Sequence, residues 1–507
     1  VIVVSRGDDA GSGSGGPLLL SIDNGSQSTK VTIVDAAGGV VARGRASLRP
    51  PEHPAPGRVE HPDDDLWDSI VDACRQAMAA YGGDPSRIVA AGLCTIRFCR
   101  VLLDASGALA APVISWMDER LARPYEHRDD RVAYVSTSTG YIAGRLTGRL
   151  TDAAGNTEGR WPVDHDAWRW SADDAVIASE GLRREQLLPL LLPGELHGRV
   201  TAAAAAASGL PEGLPVYATS NDKAVEALGS GLLDGGELLL SLGTYVATMT
   251  PGERDFAPQR VQGVWRNFGA VPGGTYYESA GVRRGMWTVS WLRDLVLGPR
   301  AGETAAPLGG ADGERERVLD AEAMDAPPGA GGLVTVLDWL APPDEPWRRG
   351  AMVGFDGSQG RGHLYRSVLE ALALTTADAA TELLRELGRT PRALIVAGGG
   401  ARSDLMLRIL AATYGVPVRR TRFADGAGMG AAIAAAVGAG VHETWDDAVD
   451  AMVHVADVVE PEPALVEAYR DIAARHRAIR AGVRGMLDDM AHRGSGPGLG
   501  KELETDG

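Results

Sequence analysis

The chain has 507 residues, with 67 acidic against 50 basic side chains and a formal net charge of −17. Hydrophobic residues make up 44% and charged residues 23%, the composition of a folded chain, and the length suits two large domains or three ordinary ones. The acidic balance speaks against a protein that wraps nucleic acid. No apolar run approaches the roughly 18 residues of a membrane span, and the N-terminus lacks the basic flank of a signal peptide. Three cysteines with no CxxC pair make neither a disulfide scaffold nor a zinc site, so a reduced, cytoplasmic protein is expected.

In chain order, residues 7–16 read as a flexible Gly/Ser/Asp linker. Leu18 to Ile22 is an apolar strand closed by Asp23-Asn24-Gly25, with a second strand from Lys30 to Val34, a hairpin pattern with a long turn. Asp63 to Ala80 reads as a helix: acidic residues crowd its first turn, and Leu66, Ile70, Cys74 and Met78 recur every four residues. Arg100 to Asp104 is a further strand. Leu394 to Ala397 is a buried strand leading to Gly398-Gly399-Gly400, followed by a helix capped by Ser403 and Gly415. Residues 425–439 form a helix of very small side chains, suited to close backbone packing on a neighbour or ligand. The polar, Gly-rich end reads as a tail.

Alternating strands and helices point to an α/β fold. Leu18-Leu-Leu-Ser-Ile22 recurs as Leu238-Leu-Leu-Ser-Leu242, and each copy is followed by a turn of Gly and hydroxyl residues. Two related α/β domains joined near residues 234–256 are therefore expected. Such a turn aims backbone N–H groups and hydroxyls at one point, which makes an anion cradle; an ordinary hairpin is the plainer alternative. Lys30, one of only three lysines, ends the first turn. Asp222 stands where an apolar strand gives way to a small-residue helix, a place where catalytic groups gather in open α/β sheets, although a helix-capping aspartate fits the position too. The three glycines at 398–400 lack the spacing of a dinucleotide fold or a P-loop. Trp116-Met-Asp-Glu-Arg120 joins an aromatic face to charged groups, suited to a polyhydroxylated ligand or to a charged helix start.

Taken in order, these segments resemble the FGGY family of carbohydrate kinases, which includes xylulokinase and glycerol kinase. The resemblance runs from about residue 17 to 485. It rests on SIDNGSQSTK (21–30), Gly57-Arg-Val-Glu60, VLLDASG with WMDER (101–120), NDKAVEALGSG (221–231), SLGTYVA (241–247), Arg349-Gly-Ala351, AGGGARSDL (397–405) and DGAGMGAA (425–432). It implies two actin-like (ribonuclease-H-like) domains with an interdomain cleft holding ATP and Mg²⁺. Residues 17–245 would form the sugar-binding domain and 246–485 the nucleotide-binding domain, between a flexible segment (1–16) and a flexible tail (486–507).

The same resemblance implies Asp222 as catalytic base and substrate contact, and Asp23 as the carboxylate near the metal. It assigns Ser26, Gln27, Ser28 and Lys30 to the first phosphate loop, Thr244 to the second, and Gly399, Gly400 and Ala401 to the nucleotide platform. Arg97, Trp116 and Asp118 fall in segments that line the sugar pocket. The implied reaction is ATP-dependent phosphorylation of a small sugar or polyol, led by a ketopentose such as xylulose. The expected partner is that small molecule, neither nucleic acid nor membrane, with a homodimer admitted. The chain departs from the family's pattern at Arg97-Phe98, where relatives carry Met-His or Arg-Glu. It departs also in a short segment between Trp116 and Leu146-Thr-Gly148, and in Asn221-Asp222-Lys223. The short segment and Phe98 motivate a second reading, a sugar-sensing pseudokinase, and a further alternative is an actin-fold ATPase that hydrolyses ATP against water. Asp23, Asp222 and Thr244 together argue against the pseudokinase, and the Trp116–Arg120 segment against the ATPase.

Overall fold

The computed structural model describes residues 15–252, 263–279, 281–298, 313–342 and 345–493. The expected linker at 7–16 and tail at 486–507 lie largely outside the described residues. Within them the tail is corrected: Pro463–Arg493 is one helix, so its first eight residues, 486–493, are helical.

The chain divides into two compact units. One contains residues up to Gly231 with Phe268–Thr275 and Asp425–His454; the other contains Leu232–Asn267, Tyr276–Ala424 and the residues from Val455 onward. Both expected boundaries therefore move. Residues 232–245 leave the first domain because the strand at Glu237–Leu242 is hydrogen-bonded on both sides to strands of the second unit. Residues 425–454 leave the second domain because their helix is seated on the first unit's sheet.

Strands and helices are numbered here for the two principal sheets and the elements on them. Unit 1 has β1 (Leu18–Asn24), β2 (Ser28–Asp35), β3 (Val40–Ser47), β4 (Ile88–Thr95), β5 (Leu196–Arg199) and β6 (Pro215–Ala218), in the order β5-β6-β4-β1-β2-β3. All seven residues of β1 are buried, as a central strand covered on both faces requires. Helix α1 (Asp65–Tyr81) buries Leu66, Ile70, Ala73, Cys74 and Ala77, close to the stripe expected from the sequence, and ends at left-handed Gly82. It begins two residues later than expected. Asp63 has a positive φ of 46°, and the Asp65 carboxylate accepts hydrogen bonds from the Arg49 backbone and side chain.

Helix α2 (Asp222–Gly229) leaves the sheet after β6, and α5 (Gly426–Gly438) packs against α2, β1 and β4. The small side chains of α5 are needed for that approach. A Cβ on Gly430 would stand 2.0 Å from the Val225 carbonyl oxygen, and one on Gly229 would stand 2.0 Å from that of Gly426. Likewise a Cβ on Gly92 of β4 would come within 1.9 Å of the Ala431 carbonyl.

Unit 2 repeats the plan. Its strands are β7 (Glu237–Leu242), β8 (Val246–Pro251), β9 (Val264–Phe268), β10 (Thr275–Ser279), β11 (Ala393–Ala397), β12 (Val418–Thr421) and β13 (Val455–Val459), in the order β9-β10-β8-β7-β11-β12-β13. In both units the first strand pairs antiparallel with the second and parallel with the strand that follows a helix: β1 with β2 and β4, β7 with β8 and β11. The recurrence of Leu18–Ile22 as Leu238–Leu242 thus reflects one topology used twice. Helices α3 (Arg361–Leu387) and α4 (Asp404–Tyr414) bury the apolar core of this unit. The α4 termini are as expected: Ser403 accepts the Met406 N–H, and Gly415 closes the helix in the left-handed region.

Candidate active site

In unit 1 the β1–β2 hairpin puts Asp23 directly opposite Lys30 and Asn24 opposite Thr29. Asn24 Nδ2 donates to Thr29 Oγ1 at 2.7 Å, and Thr29 Oγ1 bonds Ser69 Oγ of α1 at 2.7 Å, which fixes the base of the turn. Ser26 and Gln27 are exposed at the tip, and Ser28 is buried at the start of β2. Lys30 Nζ donates to Asp23 Oδ2 at 3.1 Å and to Asp425 Oδ1 at 3.0 Å. Lys30 is thus a bridge between two carboxylates rather than a solitary charge at the end of a loop. Burial pushes the Asp23 carboxyl up to about 6, opposed by Lys30 and reinforced by the like charges of Asp425 and Asp222. For Lys30, burial works against the charge, but Asp23 and Asp425 outweigh it and hold the ammonium above its ordinary value.

Asp222 is the first residue of α2, yet it does not cap the helix. Asn221 does, accepting the Ala224 N–H on Oδ1 at 2.9 Å. The capping alternative for Asp222 is thereby removed, and its carboxylate instead lies 3.6 Å from Arg97 Nε. Asn221 Nδ2 donates to Glu158 Oε1 at 3.0 Å and to the Gly155 and Phe268 carbonyls at 3.1 and 3.3 Å. Glu158 Oε1 also accepts the Phe268 N–H at 2.9 Å, and its Oε2 stands 4.0 Å from Arg97 Nη1. A buried Glu158–Asn221 pair therefore supports both members of the Arg97–Asp222 pair. Lys223 pairs with Glu226 at 2.8 Å; burial opposes its charge, but Glu226 and Asp222 raise its affinity for the proton above the usual value.

The WMDER segment separates two roles. Trp116 is 45% exposed. Asp118, expected in the sugar pocket, is buried and accepts hydrogen bonds from the protein itself. Its Oδ2 accepts the Val59 N–H at 2.6 Å, while Oδ1 accepts the Arg120 backbone N–H and Nε, each at 2.8 Å. Both oxygens brace the segment through these bonds, and although burial pushes the carboxyl up, the donors hold it below the usual range. Arg120 extends the brace to Glu60 Oε1 at 2.5 Å, which accounts for the spacing of the GRVE and WMDER segments.

In unit 2, Thr244 is exposed in the β7–β8 turn, whose Gly243 and Thr244 carbonyls accept the N–H groups of Met286 and Gly285 at 3.1 and 2.8 Å. Gly398, at a φ of 85°, turns the chain after β11. Of the three platform residues, Gly399 is exposed with open space where a side chain would point, whereas Gly400 and Ala401 are buried. A Cβ on Gly400 would stand 2.8 Å from Met286 Sδ, so this glycine serves internal packing.

Sequence models of known families match both halves: the N-terminal domain of the FGGY carbohydrate kinases over residues 18–129 and the C-terminal domain over 238–439. "Uncharacterized sugar kinase YgcE" of Escherichia coli K12 is 43% identical over 452 residues, covering 89% of this chain and 90% of that protein. The chain belongs to the FGGY family of carbohydrate kinases. An autoinducer-2 kinase from Enterobacter is 25% identical over 523 residues, covering 93% of this chain and 95% of its own. A xylulose kinase from Rhodospirillum rubrum shares the fold at a TM-score of 0.73 and 26% identity, over 93% of this chain and all of that one. The two actin-like α/β units are thus those of an FGGY kinase, and the protein is a carbohydrate kinase.

The residues missed by the sequence reading are Glu158, Asn221 as a cap, and Asp425. Asp425 heads a family segment, and its proximity to Lys30 required the fold. Glu158 lies in a stretch with no periodic pattern. Among the described residues no group of three or more His, Cys, Asp or Glu side chains is arranged to hold a metal alone, and no helix is long and apolar enough to cross a membrane.

Proposed function

We propose that the protein transfers the γ-phosphoryl group of ATP to a hydroxyl of a small sugar or polyol, with Asp222 as the general base. The observation that supports this most is the division of labour at the head of α2. Asn221 takes the cap, while Asp222 stands beside Arg97, itself buttressed by Glu158. A carboxylate so held accepts the proton of the attacking hydroxyl, a role worth about 10²–10⁴-fold in rate. Arg97 orients the acceptor by donating to its oxygens, and exposed Trp116 offers an apolar face to its carbon skeleton. Thr244 and the amides of the Ser26–Ser28 turn contribute donors to phosphate oxygens.

Magnesium suits the residues present. Asp23 is a buried hard-oxygen donor whose charge is disfavoured by two neighbouring carboxylates, and a divalent cation relieves that strain. Asp23, with Asp425 beside it, would hold the ion together with ATP oxygens. The bound ion supplies charge neutralisation on the phosphates.

A ketopentose leads as acceptor, supported by the xylulose kinase likeness at 26% identity. Phe98, at a φ of 67° beside Arg97, brings a ring where a hydrogen-bonding side chain is usual, which favours a less hydroxylated face at that point. The test is sugar-dependent ADP formation across ketopentoses, aldopentoses, tetritols, pentitols, hexitols and glycerol. An acceptor that raises ADP release with the parent but not with Asp222→Asn upholds the reading. If every compound leaves ADP at background while sugars still raise the melting temperature, the sensing reading replaces it.

A further inference from the structure

Unit 1 contains a cavity whose lining includes none of Asp222, Arg97, Lys30 and Trp116, and which meets the segment after Trp116 through Glu119 and Arg120. Its accessible volume is about 250 Å³, and five arginines line it: Arg58, Arg100, Arg120, Arg123 and Arg128. Leu102, Ile114 and Val132 supply apolar wall. Ligand pockets for drug-sized molecules start at about 300 Å³, so this space suits a small ion or ester rather than a nucleotide.

The decisive residue is Arg100. It is only 4% exposed, and its backbone is locked to Ile114 by paired bonds of 3.1 and 3.0 Å. Its guanidinium lies 5.8 Å from the Tyr125 ring and 5.9 Å from the Trp161 ring, and its buried Nε has no acceptor among the described residues. The nearby Glu180 is taken by Arg160, at 2.8 Å. Burial lowers the Arg100 proton affinity, as expected of a cation held in an apolar wall without a counterion.

The other charges at the cavity are mostly settled among themselves. Arg120 is bound to Asp118 and Glu60, Arg128 to Glu126, and Asp129 to Arg131. That leaves Arg58, Arg100 and Arg123 with the carboxylate of Glu119, and the second carboxylate on Arg120 offsets one more charge, so the cavity lining keeps a positive surplus.

We propose that this cavity is a binding site for a small phosphate-type anion, held by the buried guanidinium of Arg100 with Arg58 and Arg123 at the rim. An anion suits the positive surplus, and planar guanidinium groups engage tetrahedral oxygens two at a time. Inorganic phosphate and the phosphate ester of a small sugar present the same chemistry.

The experiment is calorimetric titration of the full chain at fixed ionic strength. A non-hydrolysable ATP analogue and magnesium are kept in excess, so that phosphate subsites of the nucleotide are filled. The probes are inorganic phosphate, a ketopentose phosphate and, as the neutral control, the parent ketopentose. Expected is binding of one or both anions, weakened about tenfold or more in Arg100→Gln, the cost of losing a charged hydrogen-bonding group. Arg123→Gln, an exposed substitution that leaves the fold intact, weakens it by a smaller factor and decides the matter if Arg100→Gln does not fold. Tighter binding of the ester or of the free ion identifies the natural source, and either ranking upholds the site. Absence of anion binding to the parent overturns the proposal, as does parent-like binding by Arg123→Gln together with any folded Arg100→Gln. Binding of anions that Arg100→Gln leaves unchanged overturns it as well.

Discussion

The two hairpin turns that open the two sheets share a topology and differ in charge. At the β1–β2 turn three ionisable side chains meet, Asp23, Lys30 and Asp425, and Asp222 is close enough to bias Asp23. The corresponding β7–β8 turn is Gly243-Thr244-Tyr245, with no ionisable carboxylate or amine of its own. One scaffold thus serves two tasks. The charged copy can manage protons and a cation, and the neutral copy can only donate hydrogen bonds. Shared backbone geometry is therefore a poor guide to which half carries the chemistry, and side-chain charge is the better one.

The sharpest way to break this contrast is at the charged side. Asp222→Asn is expected to lower sugar-dependent ADP formation by about 10²–10⁴-fold while ATP binding, read by titration, stays at the parent value. A variant with the parent's rate would remove Asp222 from the reaction. Next comes Lys30→Met, which leaves Asp23 and Asp425 facing each other without their shared cation. Because Lys30 is partly exposed, the expected cost is about 1–3 kcal/mol, between that of surface and buried pairs. Thermal denaturation measures it, and adding magnesium should recover part of the loss. On the neutral side, Thr244→Val is expected to raise the KM for ATP by about tenfold or less, with the melting temperature unchanged, since only one neutral hydrogen-bonding group is lost. An equal loss of stability in both turn variants would erase the distinction.

A further effect on the charged side is a pH slope. Asp23 titrates at about 6 in the folded chain against 3.8 for an ordinary aspartate. Between those values the folded form keeps a proton that the unfolded form has lost. Stability from this group therefore falls as pH rises from about 4 to about 6, then stays level. Lys30 remains charged throughout that window. Subtracting the denaturation profile of Asp23→Asn from that of the parent should isolate the slope, and a difference that rises with pH would contradict the assignment.

Much of the architecture was readable in the sequence because it depends on local pattern. The buried strand at Leu18–Ile22, its echo at Leu238–Leu242, the Ser403 and Gly415 caps and the small-residue helix after Asp425 were all visible there. What stayed hidden depends on distant contacts. Glu158 reaches Asn221 only through the fold, 63 positions along the chain, and no periodicity marks either residue. Asp118 stands beside tryptophan in the sequence, and its hydrogen bonds to Val59 and Arg120 show only in the tertiary structure. Domain limits failed for the same reason, since the sequence runs continuously where the packing does not.

The seat of α5 has a consequence for how the protein is made. Residues 425–454 complete the first unit, yet a ribosome releases them only after the whole of 232–424. Until then β4 and α2 present bare glycine surfaces at Gly92 and Gly229, shaped for a helix not yet synthesised. The half that begins first is therefore finished late, and the usual amino-to-carboxyl order of domain maturation does not hold for this chain. A nascent chain arrested before residue 425 should remain sensitive to protease across residues 88–231, and extension past 454 should protect it.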